Sequence, residues 1–171
     1  MIIRTTTLGD LPAVMDLYRE AQARMMAAGN PQWPAGWPSE EKIREDIRRG
    51  NSYVLEAESD ELGTGEGPSL VGVFAFVLGD EPTYAVIEDG AWPNDEPYGT
   101  LHRVASNGKA RGVMQAALEF CERLCPNVRV DTHETNSAMQ HILEKNGYQY
   151  CGRIYVEDGT PRRAYQKGGI T

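Results

Sequence analysis

Long apolar runs are missing from this chain. No stretch of about 18 apolar residues occurs, which excludes a transmembrane helix. The first residues, Met1 to Thr7, lack the apolar core of a secretory leader and read as a strand. Cysteine is scarce. There are 3, an odd number, which argues against a disulfide framework. Cys121 and Cys125 lie one helical turn apart and Cys151 falls near a strand. No histidine spacing completes a zinc site around them, so no metal is expected. The pattern fits buried thiols in a reducing cytoplasm. Basic excess is absent too. Against 17 Lys and Arg stand 25 Asp and Glu, a formal net charge of −8. Non-specific nucleic-acid binding needs a basic face, so that class is disfavoured. The acidic balance attracts a cationic partner such as an amine, and it also keeps a chain soluble. Neither the Gly-x-x-x-x-Gly-Lys-Ser/Thr phosphate loop nor the dinucleotide Gly-x-Gly-x-x-Gly occurs.

What is present suits a single domain over 1–171, since 171 residues can bury a sizeable core. The stretch from Leu101 to Leu124 organises it. Leu101 to Ala105 reads as a strand, and Ser106-Asn107-Gly108 is turn chemistry, with Gly108 able to take positive φ. A helix follows, with an apolar stripe at Val113, Ala116, Ala117, Phe120, Cys121 and Leu124. The loop therefore aims backbone N–H groups and the positive end of a helix dipole at one place. Lys109 and Arg111 add charge, and Gly112 lets backbone approach. That is an anion site suited to a phosphate or pyrophosphate.

The remaining elements follow from periodicity and punctuation. A strand is expected over Ile2 to Thr6. A helix capped by Asp10 has a stripe at Leu11, Val14, Leu17, Tyr18, Ala21 and Met25, and stops near Gly29-Asn30. Pro31 to Pro38 holds three prolines with Trp33 and Trp37, and is irregular. These two rings either wall a pocket or cap the core. Ser39 caps a second helix that ends at Gly50-Asn51. Strands are expected over Ser52–Ala57, Leu70–Leu78 and Tyr84–Glu88, with an acidic, Gly-rich hairpin loop from Glu58 to Ser69. Asp89 to Pro97 is irregular and carries Trp92, Asp95 and Glu96. A strand over Asn127–Thr132, a helix over Asn136–Gly147 and a hairpin turning at Asp158-Gly159 complete the chain.

Lys109-Ala110-Arg111-Gly112-Val113-Met114 resembles the Arg/Gln-x-x-Gly-x-Gly/Ala loop of the GNAT superfamily of acetyl-CoA-dependent N-acetyltransferases. Lys109 stands in the Arg/Gln place and Met114 in the second Gly/Ala place. Asn136 to Tyr148 resembles the superfamily's Asn-x-x-Ala-x-x-Leu-Tyr-x-x-x-Gly-Phe segment. Asn136, Ile142, Gly147 and Tyr148 match in kind, Met139 replaces Ala, and Leu143 stands where Tyr is usual. The order of elements is also the superfamily's. Leu101 to Ser106, Asp131 to Asn136 and Glu144 to Tyr148 look like one bacterial branch of small members. The resemblance implies an α/β (α+β) fold of three layers, α/β/α. Its mixed, largely antiparallel sheet has six to seven strands, with a splayed central parallel pair.

The resemblance further implies direct transfer of acetyl from acetyl-CoA, as co-substrate, to a primary amine of a small molecule or peptide. Dimers are common in the superfamily, so a homodimer stays open; nucleic acid and membrane are not expected partners. The pantetheine arm would lie along Leu101–Ala105, with Val128–Thr132 as the other strand. A backbone N–H near Val104 or Ala105 would polarise the thioester. The diphosphate would sit on Ser106 and on Lys109, Ala110, Arg111, Gly112, Val113 and Met114, with Asn136 touching the cofactor from the next helix. For the base, His102, Glu88 and His133 are candidates. His102 stands first, because imidazole titrates near about 6.5. Each also has a structural reading, as a carboxylate partner or a solvated strand end. Trp33, Trp37, Trp92 and Tyr98 are candidates for the acceptor pocket, with Asp95 and Glu96 attracting a cation. The leucine at 143 removes the usual tyrosine acid. A non-catalytic acyl-CoA-binding module therefore remains an alternative, and a nucleotide-phosphate binder of another α/β fold is a weaker one.

Overall fold

The computed structural model describes residues 1–58, 63 and 67–168. Four helices and seven strands occur among them: β1 (Ile2–Thr5), α1 (Leu11–Ala27), α2 (Glu40–Arg48), β2 (Ser52–Ala57), β3 (Ser69–Leu78), β4 (Gly99–Ser106), α3 (Val113–Leu124), β5 (Val128–Thr132), α4 (Ser137–Lys145), β6 (Gln149–Tyr155) and β7 (Pro161–Lys167). The strands follow one another in the order β1-β2-β3-β4-β5-β7-β6. The β4–β5 pair is parallel, while β1–β2, β2–β3, β5–β7 and β6–β7 are antiparallel. Much of the acidic, Gly-rich stretch after β2 lies outside the described residues.

The chain divides into two compact units, Met1–Phe76 with His102–Ala117, and Val77–Leu101 with Leu118–Thr171. In the first, Leu11, Val14, Leu17, Tyr18 and Ala21 recur at helical spacing on α1 and meet Ile43 of α2, Val54, Val73 and Ala105 in one core. Ser39 caps α2, its hydroxyl accepting the Lys42 N–H at 3.1 Å. Asp10 departs from expectation. Its carboxylate makes no cap on α1; it accepts from the Thr7 N–H at 2.7 Å and from the Arg4 guanidinium at 2.7 and 2.9 Å. A short 3-10 turn, Leu8–Asp10, comes between strand and helix.

In the second unit the β4–β5 ladder joins Gly99, Thr100 and Leu101 to Val128, Arg129 and Val130. β7 lies between β5 and β6, and Tyr84, Tyr98, Ile154 and Ala164 make the core. The strand expected over Tyr84–Glu88 does not form. Pro82 starts a 3-10 turn that ends at Tyr84, whose hydroxyl donates to Asp131 at 2.6 Å. Only Glu88 pairs, with Arg153, and the bridge relies on Gly152. A Cβ there would sit 2.4 Å from the Glu88 carbonyl oxygen. The α3 stripe is also turned from the expected one: Val113, Ala117, Leu118 and Cys121 are buried, while Leu124 is exposed. Cys121, Cys125 and Cys151 are free and buried. Burial raises the Cys121 thiol far above its usual range and pushes Cys151 up to about 11, so neither is a ready thiolate. No helix among the described residues is long and apolar enough to cross a membrane.

Candidate functional site

The second half of β4 bends. Gly99, Thr100 and Leu101 are all buried, and His102, Arg103 and Val104 are all half-buried. The backbone leaves extended geometry at Arg103, at φ 50°, a left-handed conformation uncommon for a residue with a side chain. Its guanidinium grips the Asp46 carboxylate of α2 through two parallel bonds, Nε–Oδ2 and Nη2–Oδ1, each 2.9 Å. The two side chains are 9% and 5% exposed. The Arg103 carbonyl accepts the Tyr18 hydroxyl of α1 at 2.8 Å. Burial holds the Tyr18 phenol far above its ordinary range, so it remains a neutral donor. His102 stands one residue before the bend and is half-buried.

The loop after β4 is tied down by Asn107. Its N–H donates to the Val71 carbonyl at 3.1 Å and its side-chain amide donates to the Leu70 carbonyl at 3.2 Å. Its Oδ1 accepts the Lys109 N–H at 3.0 Å, an Asx turn. The Arg24 guanidinium of α1 donates to the Ser106 carbonyl. Gly108 and Gly112 both sit at φ 74°, where a Cβ would be strained. Val113 then buries its side chain and starts α3, with the Ala116 N–H on the Gly112 carbonyl at 2.9 Å. The first turn of any helix directs N–H groups outward without intrahelical partners. Here that turn follows Lys109, Ala110, Arg111 and Gly112, with Lys109 and Arg111 exposed. One amide of the expected cradle is already taken. The Lys109 N–H belongs to Asn107, so any anion held by backbone amides here would meet Ala110 first.

The aromatic candidates part company. Trp33 is 4% exposed, packed on Tyr18 with ring centroids 5.9 Å apart, and belongs to the core. Trp37 packs on Trp33 at 5.1 Å and is 37% exposed. In the second unit, Trp92 and Tyr98 each turn a face to Arg129, whose guanidinium carbon lies 4.1 and 3.9 Å from their centroids. The aromatic pair suited to a cation thus already holds one of the protein's own. Desolvation lowers the Arg129 pKa, and Gln166 and the Asn94 carbonyl take its N–H groups. Asp95 and Glu96 are exposed.

Glu88 is exposed, its carboxylate accepting the Tyr155 hydroxyl at 3.0 Å. His133 uses Nδ1 as an acceptor from the Thr135 N–H at 3.1 Å, with the Thr135 hydroxyl at 2.8 Å. That bond places the proton of the neutral ring on Nε2. Burial, then Arg162, lowers the His133 pKa. Asn136 is the N-cap of α4, its Oδ1 accepting the Met139 N–H at 3.2 Å. Leu143 is completely buried.

A solved structure of a GNAT-family acetyltransferase from Streptococcus agalactiae 2603 is 34% identical over 99% of this chain and 96% of its own, with a TM-score of 0.86. The chain belongs to the GNAT family of acetyltransferases. Two more distant structures share the fold alone. A ribosomal-protein-alanine N-acetyltransferase from Brucella melitensis matches at 19% identity and TM-score 0.60, over 98% of this chain and 99% of its own. The NatC complex bound to Gag peptide and CoA matches at 12% and 0.61, over 99% and 98%. No family model and no curated protein sequence matches the chain. In this GNAT protein the loop from Ser106 to Gly112 and the bend at Arg103 share one unit with His102 and Trp37. Glu88, His133, Asn136, Trp92 and Tyr98 fall in the other. Sequence reasoning gave no site role to Arg24, Asp46 or Arg103, and read Tyr18 only as core and Asn107 only as part of a turn. Asp46 left a signal, because an acid between Ile43 and Ile47 on the apolar face of a helix needs a buried partner.

Proposed function

We propose that this GNAT protein is a single N-acetyltransferase domain that moves acetyl from acetyl-CoA to a primary amine in one direct step, in the cytoplasm. The observation that carries the reading is the strand–loop–helix of β4, Asn107–Gly112 and α3. Its anchored Asn-Gly turn, two left-handed glycines and two exposed cations suit a diphosphate. Lys109 contributes its side-chain charge; the amides from Ala110 to Met114 and the Arg111 guanidinium contribute the rest. The N–H of Val104 or Ala105, beside the bend, polarises the thioester carbonyl. His102 takes the amine proton as nitrogen attacks the carbonyl carbon and the carbon–sulfur bond breaks. The thiolate leaves with the bonding pair. With leucine at 143 it leaves unprotonated, which an ordinary thiol pKa of about 8.5 tolerates. The exposed face of Trp37 is offered to the acceptor.

A non-catalytic acyl-CoA-binding module is the second reading, favoured by the complete burial of Leu143 where the family pattern has tyrosine. Thiol release from acetyl-CoA over a panel of spermidine, lysine, kanamycin and an Ala-initiated tetrapeptide separates the two. Turnover with at least one amine is expected. Saturable binding of acetyl-CoA without thiol release from any of them would favour the second reading.

A further inference from the structure

The bend in β4 is gripped by two helices through groups that the transfer step does not use. A left-handed, side-chain-bearing residue persists only where its surroundings over-determine it. At Arg103, φ 50°, they do: Asp46 fixes the guanidinium at 2.9 and 2.9 Å, and Tyr18 fixes the carbonyl at 2.8 Å. The second bond bears on chemistry. The Arg103 C=O and the Val104 N–H belong to one planar trans peptide, so they point in opposite directions. Whatever orients the carbonyl orients that N–H.

We propose that Tyr18 and Asp46 are positioning residues, which lock the Arg103–Val104 peptide so that the Val104 N–H is aimed for the thioester carbonyl. The proposal rests on the acetyl-CoA reading above. Tyr18 sets the plane of the peptide from its carbonyl side. Asp46 holds the side chain of the same residue and stops the backbone relaxing to an ordinary extended conformation. Both partners are buried with Arg103, where competition from water is small and such bonds are strongest. An N–H prearranged in this way needs no reorganisation as charge develops on the oxygen.

Tyr18→Phe tests this, because it deletes one hydroxyl and keeps the ring that packs in the core. Asp46→Asn is the second variant. The first readout needs no ligand: the amide residual dipolar coupling of Val104 is expected to change in both variants, while those of β2 stay fixed. An unchanged Val104 coupling overturns the lock. The second readout is steady-state kinetics with acetyl-CoA and the fastest amine of the panel. A roughly tenfold fall in kcat is expected in Tyr18→Phe, with KM for acetyl-CoA unchanged. Full kcat beside a shifted coupling, or a lower melting temperature with kcat intact, makes the two residues merely structural and overturns their positioning role. A wild-type protein that shows the lock but neither binds nor turns over acetyl-CoA would sink the acetyl-CoA reading instead, and with it the purpose assigned to the lock.

Discussion

At the scale of single residues, proton transfer separates the candidates. His102→Ala is expected to lower kcat by about 10²–10³-fold across the pH–rate profile, within the usual contribution of a positioned base. Unchanged kcat across pH removes His102 from the mechanism. Burial and Arg162 hold His133 below about 6.5. A base at that position would therefore put the acid limb lower than an ordinary imidazole does. Asp10 gives a second test. The Arg4 guanidinium, with the Thr7 N–H, holds its carboxyl well below the usual carboxylate range. The unfolded chain therefore takes up that proton first as pH falls. The stability it contributes is complete above the unfolded value of about 4 and fades below it, through the lower folded value. Denaturant unfolding of wild type and Asp10→Asn is expected to show a gap at pH 7 that closes as pH falls below about 4. A gap independent of pH would contradict the pairing.

At the scale of elements, the start of α3 depends on a glycine in β3. A Cβ at Gly72 would lie 2.7 Å from Val113 Cγ1, 3.0 Å from Leu55 Cδ1 and 3.3 Å from the Ala105 carbonyl oxygen. Gly72→Ala must therefore push Val113, the first residue of α3, away from the strand. Overpacking of this kind costs about 1–3 kcal/mol. A lower melting temperature and weaker acetyl-CoA binding are expected together; a variant with wild-type affinity would show that the cradle does not depend on this contact. Elements with local signals were legible in the sequence. Alternation marked β2, and Ser39 and Asn136 announced the starts of α2 and α4, where both cap. Tyr84 to Glu88 misled because its residues suit a strand, while Pro82 and the turn before Gly90 set its path. The bend at Arg103 was not legible at all. Its partners lie 57 and 85 residues away, beyond any window of periodicity.

At the scale of the whole molecule, a chain of net charge −8 holds an anionic coenzyme only if a local arrangement outweighs the general field. The account assigns that to Lys109, Arg111 and the first turn of α3. Family membership and fold rest on the match to the Streptococcus agalactiae structure at 34% identity and TM-score 0.86. The cradle rests on its residues. Equilibrium dialysis of wild type and of Lys109→Ala/Arg111→Ala against acetyl-CoA tests it most directly. The account predicts saturable retention of one acetyl-CoA per wild-type chain, with affinity falling as salt rises, and at least tenfold weaker retention by the double variant. Equal retention by both proteins, or none by wild type at millimolar acetyl-CoA, would contradict it.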